Sequence, residues 1–148
     1  MTPMSKTQQL LPVSQLEDLY TAGAGYDVLR YMTLPELLGT ESKTLLYFMG
    51  RNLARSLDLQ AVEDIYYTFE KMGWGKLELV KEKKKELVFH LMSDSIARRL
   101  QASLDIEFYL ESGFLAEAIQ QLENVECECV EEINSKIMQV EFSVFFTH

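Results

Sequence analysis

The sequence predicts an α+β domain: an antiparallel sheet of about four strands, in two hairpins, with helices packed on one face. Three observations predict it. Apolar residues recur at helical spacing through the first half of the chain, and the period falls to two after Trp74-Gly75. The order of helices followed by a hairpin then occurs a second time. An antiparallel sheet covered on one side accommodates that order, because each hairpin offers one apolar face for the helices to bury. The 148 residues, 47% hydrophobic and 25% charged, match one globular domain. A chain of that size removes roughly 70% of its unfolded surface from water. The expected organisation is a flexible tail over residues 1–12, polar and proline-bearing, and a single domain over 13–148.

Ser14-Gln15-Leu16-Glu17 has the form of a capping box and marks a helix start. Gly23 and Gly25 loosen that helix, and Tyr26 to Leu38 continues with Val28, Leu29, Tyr31, Met32, Leu34, Leu37 and Leu38. Pro35 removes a backbone donor, so a kink or break is expected near Thr33 or Leu34. Gly39 supplies the stop. The next helix runs from Thr40 or Ser42 to about Ser56, with Leu45, Met49, Leu53 and Leu57 as its stripe. Leu46, Tyr47 and Phe48 spread its apolar surface nearly all round. One core face cannot satisfy such a helix. It needs cover on a second side, from a partner chain, a neighbouring helix or a ligand. Gln60 to Met72 is amphipathic, with Val62, Ile65, Tyr66 and Phe69 facing in.

The strands Lys76 to Val80 and Glu86 to Met92 flank Lys81-Glu82-Lys83-Lys84-Lys85, which reads as a solvated hairpin turn. Leu87, Phe89 and Leu91 share one face of the second strand. Ser93-Asp94-Ser95 can cap a short helix to about Leu100, and Asp105 to Leu122 forms a longer one. The terminal hairpin runs from Val125 to Glu131, turns at Asn134-Ser135 and returns from Ile137 to Phe146. Met138, Val140, Phe142, Val144 and Phe146 alternate along its last strand.

A formal charge of −9 excludes nucleic acid as a partner, since phosphate binding needs a dense basic face. No apolar run approaches the ~18 residues of a membrane span. The first dozen residues lack the apolar run and small-residue cleavage site of a secretory signal. Two cysteines without an export signal read as reduced thiols. The expected location is the cytoplasm.

No residue set suits catalysis. Cys127 and Cys129 share a strand face, but zinc needs four ligands of Cys or His type, and only His90 and His148 remain. They read as buried small apolar residues, with metal ligation and redox chemistry as the alternatives. No cofactor or metal is expected. His90 reads as exposed, opposite Leu87, Phe89 and Leu91. Glu107, Glu111 and Glu117 read as the wet face of a helix. Arg51 with Arg55, and Arg98 with Arg99, make ion pairs or hold an anionic head group at a pocket mouth. Gly113 inside a helix costs about 1 kcal/mol against alanine. It marks either tight packing on the sheet or room for a ligand.

Phe48-Met49-Gly50-Arg51-Asn52-Leu53-Ala54-Arg55, Gly73-Trp74-Gly75 and Ser112-Gly113-Phe114-Leu115-Ala116-Glu117 resemble the YslB family, small uncharacterised proteins of Bacillus-like bacteria. The resemblance covers about residues 25 to 147. More distantly the layout is similar to the vinyl-reductase-type ligand-binding domain, the TRAPP vesicle-tethering subunits and the haem–nitric-oxide binding domains. That group implies helices over an antiparallel sheet, dimers formed through helices and, in several members, an enclosed apolar cavity. The candidate lining here is Gly50, Leu53, Trp74, Phe108, Gly113 and Phe114. The group's terminal hairpin often carries two cysteines; Cys129 matches the first, and the second falls near Val140. No helical histidine stands where a haem ligand would be, and no cysteine matches the lipid-attached one. The resemblance therefore implies the fold without its relatives' chemistries. The expected protein is a homodimer through residues 42–56, binding a small apolar ligand as sensor or carrier. The alternative is a protein–protein adaptor with a filled core, and an enzyme or enzyme accessory comes last.

Overall fold

The computed structural model describes residues 10–18, 23–101 and 104–147. Most of the expected tail, residues 1–9, lies outside the described residues, as does His148. Leu11–Pro12 (β1) pairs in parallel with Leu57–Asp58 (β2). Val13–Asp18 is a 3-10 helix in place of the α-helix start expected there. Its three-residue turn brings Val13 and Leu16 to one side, where both are buried.

Ala24–Val28 (α1), a π-helical turn over Leu29–Thr33 and Leu34–Leu38 (α2) follow without a break. Pro35 follows just after the π turn, so its missing backbone donor coincides with the change of helical period. In place of the break expected near Thr33 or Leu34 the chain makes a wider π turn, within which the Thr33 hydroxyl donates to the Leu29 carbonyl at 3.0 Å. Gly39, at φ 72°, ends the segment. After a 3-10 turn over Gly39–Glu41 comes Ser42–Arg55 (α3). Val62–Lys71 (α4) is started by Asp64, whose carboxylate accepts the Gln60 N–H at 2.8 Å.

The first hairpin pairs Lys76–Lys83 (β3) with Glu86–Met92 (β4). The lysine run is thus mostly strand. Lys81 to Lys83 extend β3, and only Lys84 and Lys85 turn, because a two-residue turn requires paired strands up to its edge. The Ser93 hydroxyl caps Asp94–Gln101 (α5) by accepting the Ile96 N–H at 3.1 Å. Tyr109–Glu123 (α6) begins later than Asp105, since the Glu107 carboxylate caps it from outside through the Tyr109 N–H at 2.8 Å. Cys127–Asn134 (β5) and Gln139–Phe146 (β6) close the chain.

Among the described residues the main sheet has four antiparallel strands in the order β3-β4-β6-β5. α6 lies against β5 and β6, α4 against β3 and α5 against β4, while α3 lies across α6. The centre is aromatic. Phe69 meets Trp74 edge to face at 5.0 Å between ring centroids, and Trp74 meets Phe114 at 5.4 Å. Among the described residues no helix is long and apolar enough to cross a membrane.

α3 buries Leu46, Gly50, Arg51 and Ala54, a face rotated from the expected stripe. Leu45 and Met49 are exposed, Leu53 is half-buried, and Leu57 lies beyond the helix in β2. Hydropathy selects the large residues, whereas the contact with α6 needs small ones.

Candidate functional site

The site is built where α3, α6 and β5 converge. A Cβ placed on Gly113 would overlap the Tyr47 carbonyl oxygen and stand 2.7 Å from its carbon. One placed on Gly50 would overlap the Leu110 carbonyl oxygen and stand 2.7 Å from the Phe114 nitrogen. The two glycines therefore let the backbones of α3 and α6 touch. Gly113 is tightly packed as one sequence reading had it, but on a helix instead of the sheet. Of the other pocket candidates, Trp74, Phe108 and Phe114 are buried in the core and Leu53 packs against it. The space beside both glycines is occupied by backbone.

Two buried guanidiniums flank this crossing. Arg30 donates through Nε and Nη2 to Glu107 (both 2.9 Å), through Nη1 and Nη2 to Glu111 (3.0 and 2.8 Å), and through Nη1 to the Tyr26 hydroxyl (3.0 Å). The Trp74 indole also donates to that hydroxyl, at 3.0 Å. Burial opposes the charge on Arg30, but Glu111 and Glu107 outweigh it and hold the guanidinium above its ordinary range. Arg51 donates to Glu117 (3.2 Å), Gln120 (2.8 Å), Glu128 (3.2 Å) and the Cys127 carbonyl (3.0 Å). Arg55 joins Glu117 at 3.2 Å from a more exposed position. The Tyr47 hydroxyl accepts the Cys129 N–H at 3.0 Å and donates to Glu128 at 2.5 Å.

Glu111 and Glu117 are therefore not a wet face. Both are buried, and Glu107 is nearly so. Sequence reading missed Arg30 altogether. The available signal was a lone cation inside the apolar run from Val28 to Met32, together with two glutamates one turn apart. The Arg51–Arg55 ion-pair reading holds. Arg99, also buried, donates instead to the carbonyls of Gly73 (2.9 Å) and Trp74 (2.8 Å), while Arg98 is exposed. His90 is half-buried, not exposed as expected, because it faces Glu141 across the strand pair at 3.1 Å.

Cys127 and Cys129 are unbridged, buried and on one strand face. Burial pushes the Cys127 thiol up to about 11 and raises that of Cys129 further. Thiolate is the nucleophile, so iodoacetamide should label neither cysteine until the fold opens. Each Cys→Ala change should cost ~1–2 kcal/mol in denaturant melts. Stoichiometric zinc in chelator-free protein, lost in the double variant, would reverse this reading.

Beside the crossing, Lys43, Tyr47, Phe48, Tyr109, Val130 and Glu131 line most of an open cleft of about 260 Å³. Along the outer side of α3, Leu45 is 39% exposed, Phe48 56% and Met49 42%.

The sequence pattern of a family described as "Protein of unknown function (DUF2507)" matches residues 23–145. The chain is 33% identical over 132 residues to "Uncharacterized protein YslB" of Bacillus subtilis, covering 89% of each. It is 24% identical over 107 residues to "Uncharacterized protein MJ1642" of Methanocaldococcus jannaschii, covering 72% of this chain and 65% of that one. The fold is similar to the crystal structure of a vinyl-4-reductase family protein from Methanocaldococcus jannaschii, with a TM-score of 0.68 and 17% identity. That match covers 92% of this chain and 88% of the other. The resemblance carried by the glycine-bearing motifs thus holds for family and for fold.

Proposed function

We propose, from the premise that this chain belongs to the DUF2507 family, that it is a non-enzymatic interaction domain which pairs with a second copy of itself through α3. The observation that carries this is the exposed seam Leu45, Phe48 and Met49 on a helix whose other face is already covered by α6. Contiguous exposed apolar surface marks interaction sites. In a chain of net charge −9, copies repel one another, yet α3 presents Lys43 and Arg55 at its surface and contains no acid. An antiparallel pairing centred on Phe48 would set Arg55 near Glu41 of the partner subunit, giving charge complementarity at both ends. The two unbridged thiols suit the cytoplasm.

A sensor or carrier for a small apolar ligand is the second reading. The open cleft beside the seam favours it, whereas the filled space at Gly50 and Gly113 favours the adaptor. Light scattering after size exclusion should give twice the 17.1 kDa chain mass at tens of micromolar. Met49→Glu should give a folded monomer, since a carboxylate buried without a partner costs several kcal/mol. Leu46→Glu tests folding alone, because Leu46 belongs to the chain's own core. A wild-type monomer removes the dimer.

A further inference from the structure

Lys43 and Glu131 carry opposite charges on the lining of the 260 Å³ cleft, close enough for Lys43 to favour the Glu131 carboxylate, and each makes a further contact. The Lys43 ammonium lies 5.4 Å from the centroid of the Tyr109 ring. The Glu131 carboxylate accepts the hydroxyl of the buried Ser112 at 2.6 Å, and Ser112 in turn lies 3.8 Å from the Cys129 sulfur. The remaining lining includes apolar surface from Phe48, Val130 and the Tyr109 ring. Val130 and Phe48 are among the more exposed apolar side chains of the described residues.

We infer that this cleft binds a small zwitterion with an apolar body, the class represented by apolar and aromatic α-amino acids. A carboxylate alone would meet Glu131, and an amine alone would meet Lys43. A neutral apolar molecule would desolvate both charges and pair neither, which is costly, so the apolar ligand of the second reading is narrowed to one that also carries both charges. A zwitterion places its carboxylate on the Lys43 ammonium and its ammonium on the Glu131 carboxylate, with charge-assisted hydrogen bonds at each end. Its side chain then lies between Phe48, Tyr109 and Val130. The volume falls just under the ~300–1,000 Å³ of typical ligand sites, which favours a small molecule. All of its lining comes from one chain, and because Phe48 belongs to both the cleft and the seam of the proposed dimer, the site is to be read on the monomeric Met49→Glu variant as well.

Calorimetric titration with three probes tests it: L-phenylalanine, 3-phenylpropanoate, which lacks the amine, and 2-phenylethylamine, which lacks the carboxylate. L-Phenylalanine should saturate below about 10 mM, with the other two at least tenfold weaker. Lys43→Met and Glu131→Gln should each weaken it by tenfold or more. Lys43 is exposed, so its variant keeps the test valid if Glu131→Gln fails to fold. Repeating the titration on Met49→Glu separates failure of the site from failure of the dimer. Equal binding of all three probes, no binding of L-phenylalanine, or indifference to Lys43→Met would overturn the inference.

Discussion

Gly113→Ala is expected to destabilise the fold by about 3 kcal/mol, the upper end of ordinary overpacking costs. Alanine is the better helix former by about 1 kcal/mol, so a solvent-facing Gly113 would give the opposite sign. The added methyl meets the Tyr47 backbone, which has no rotamer to change. Relief requires α3 to move off α6, and that movement strains the Arg51–Glu117 and Tyr47–Cys129 bonds. Gly50→Ala, set against Leu110 and Phe114 on the other side of the same crossing, should cost a similar amount. The double variant should cost less than the sum, because one separation accommodates both methyls. At this chain length the single variants should melt about 6–12 °C lower. A higher melting temperature for Gly113→Ala would show that the helices do not touch there.

Arg30→Met should cost about 3–5 kcal/mol, the range seen when one partner of a buried ion pair is removed. The loss comes less from the missing attraction than from Glu111, left fully buried with its charge unmatched. Arg30→Lys should not rescue it, since one ammonium cannot reproduce a fork spanning two carboxylates and the Tyr26 hydroxyl. Adding Glu111→Gln to Arg30→Met should recover part of the stability. Urea unfolding of the four proteins in that cycle gives the coupling. A near-zero cost for Arg30→Met would mean that water reaches Glu111.

Periodicity was enough to find the two hairpins and the inward face of β6, because strand alternation follows directly from side-chain geometry. β5 nevertheless runs on to Asn134, and the turn falls at residues 135–138 instead of Asn134-Ser135. Periodicity was also enough to place α3 and α4 within a residue or two. The charged interior was harder to read. Glu111 and Glu117 look like solvent-facing residues because the cations that bury them, Arg30 and Arg51, lie 81 and 66 residues away. The buried face of α3 was displaced for a related reason: hydropathy gives no weight to Gly50, yet that residue sets the helix approach. The cleft was out of reach because Lys43, Tyr109 and Glu131 come from three separate elements.

β5 is an outer strand of the sheet, and the start of its outward-facing backbone is already engaged. Tyr47 accepts the Cys129 N–H and Arg51 takes the Cys127 carbonyl, so two side chains of α3 stand where another strand's peptide groups would be. An unpaired strand edge templates aggregation, and this one carries exposed Val130 and Ile133 further along. Loosening α3 therefore does more than weaken the core. It uncovers an adhesive border, so variants at Gly50, Gly113 or Arg51 should precipitate from solution at temperatures where most of the chain is still folded.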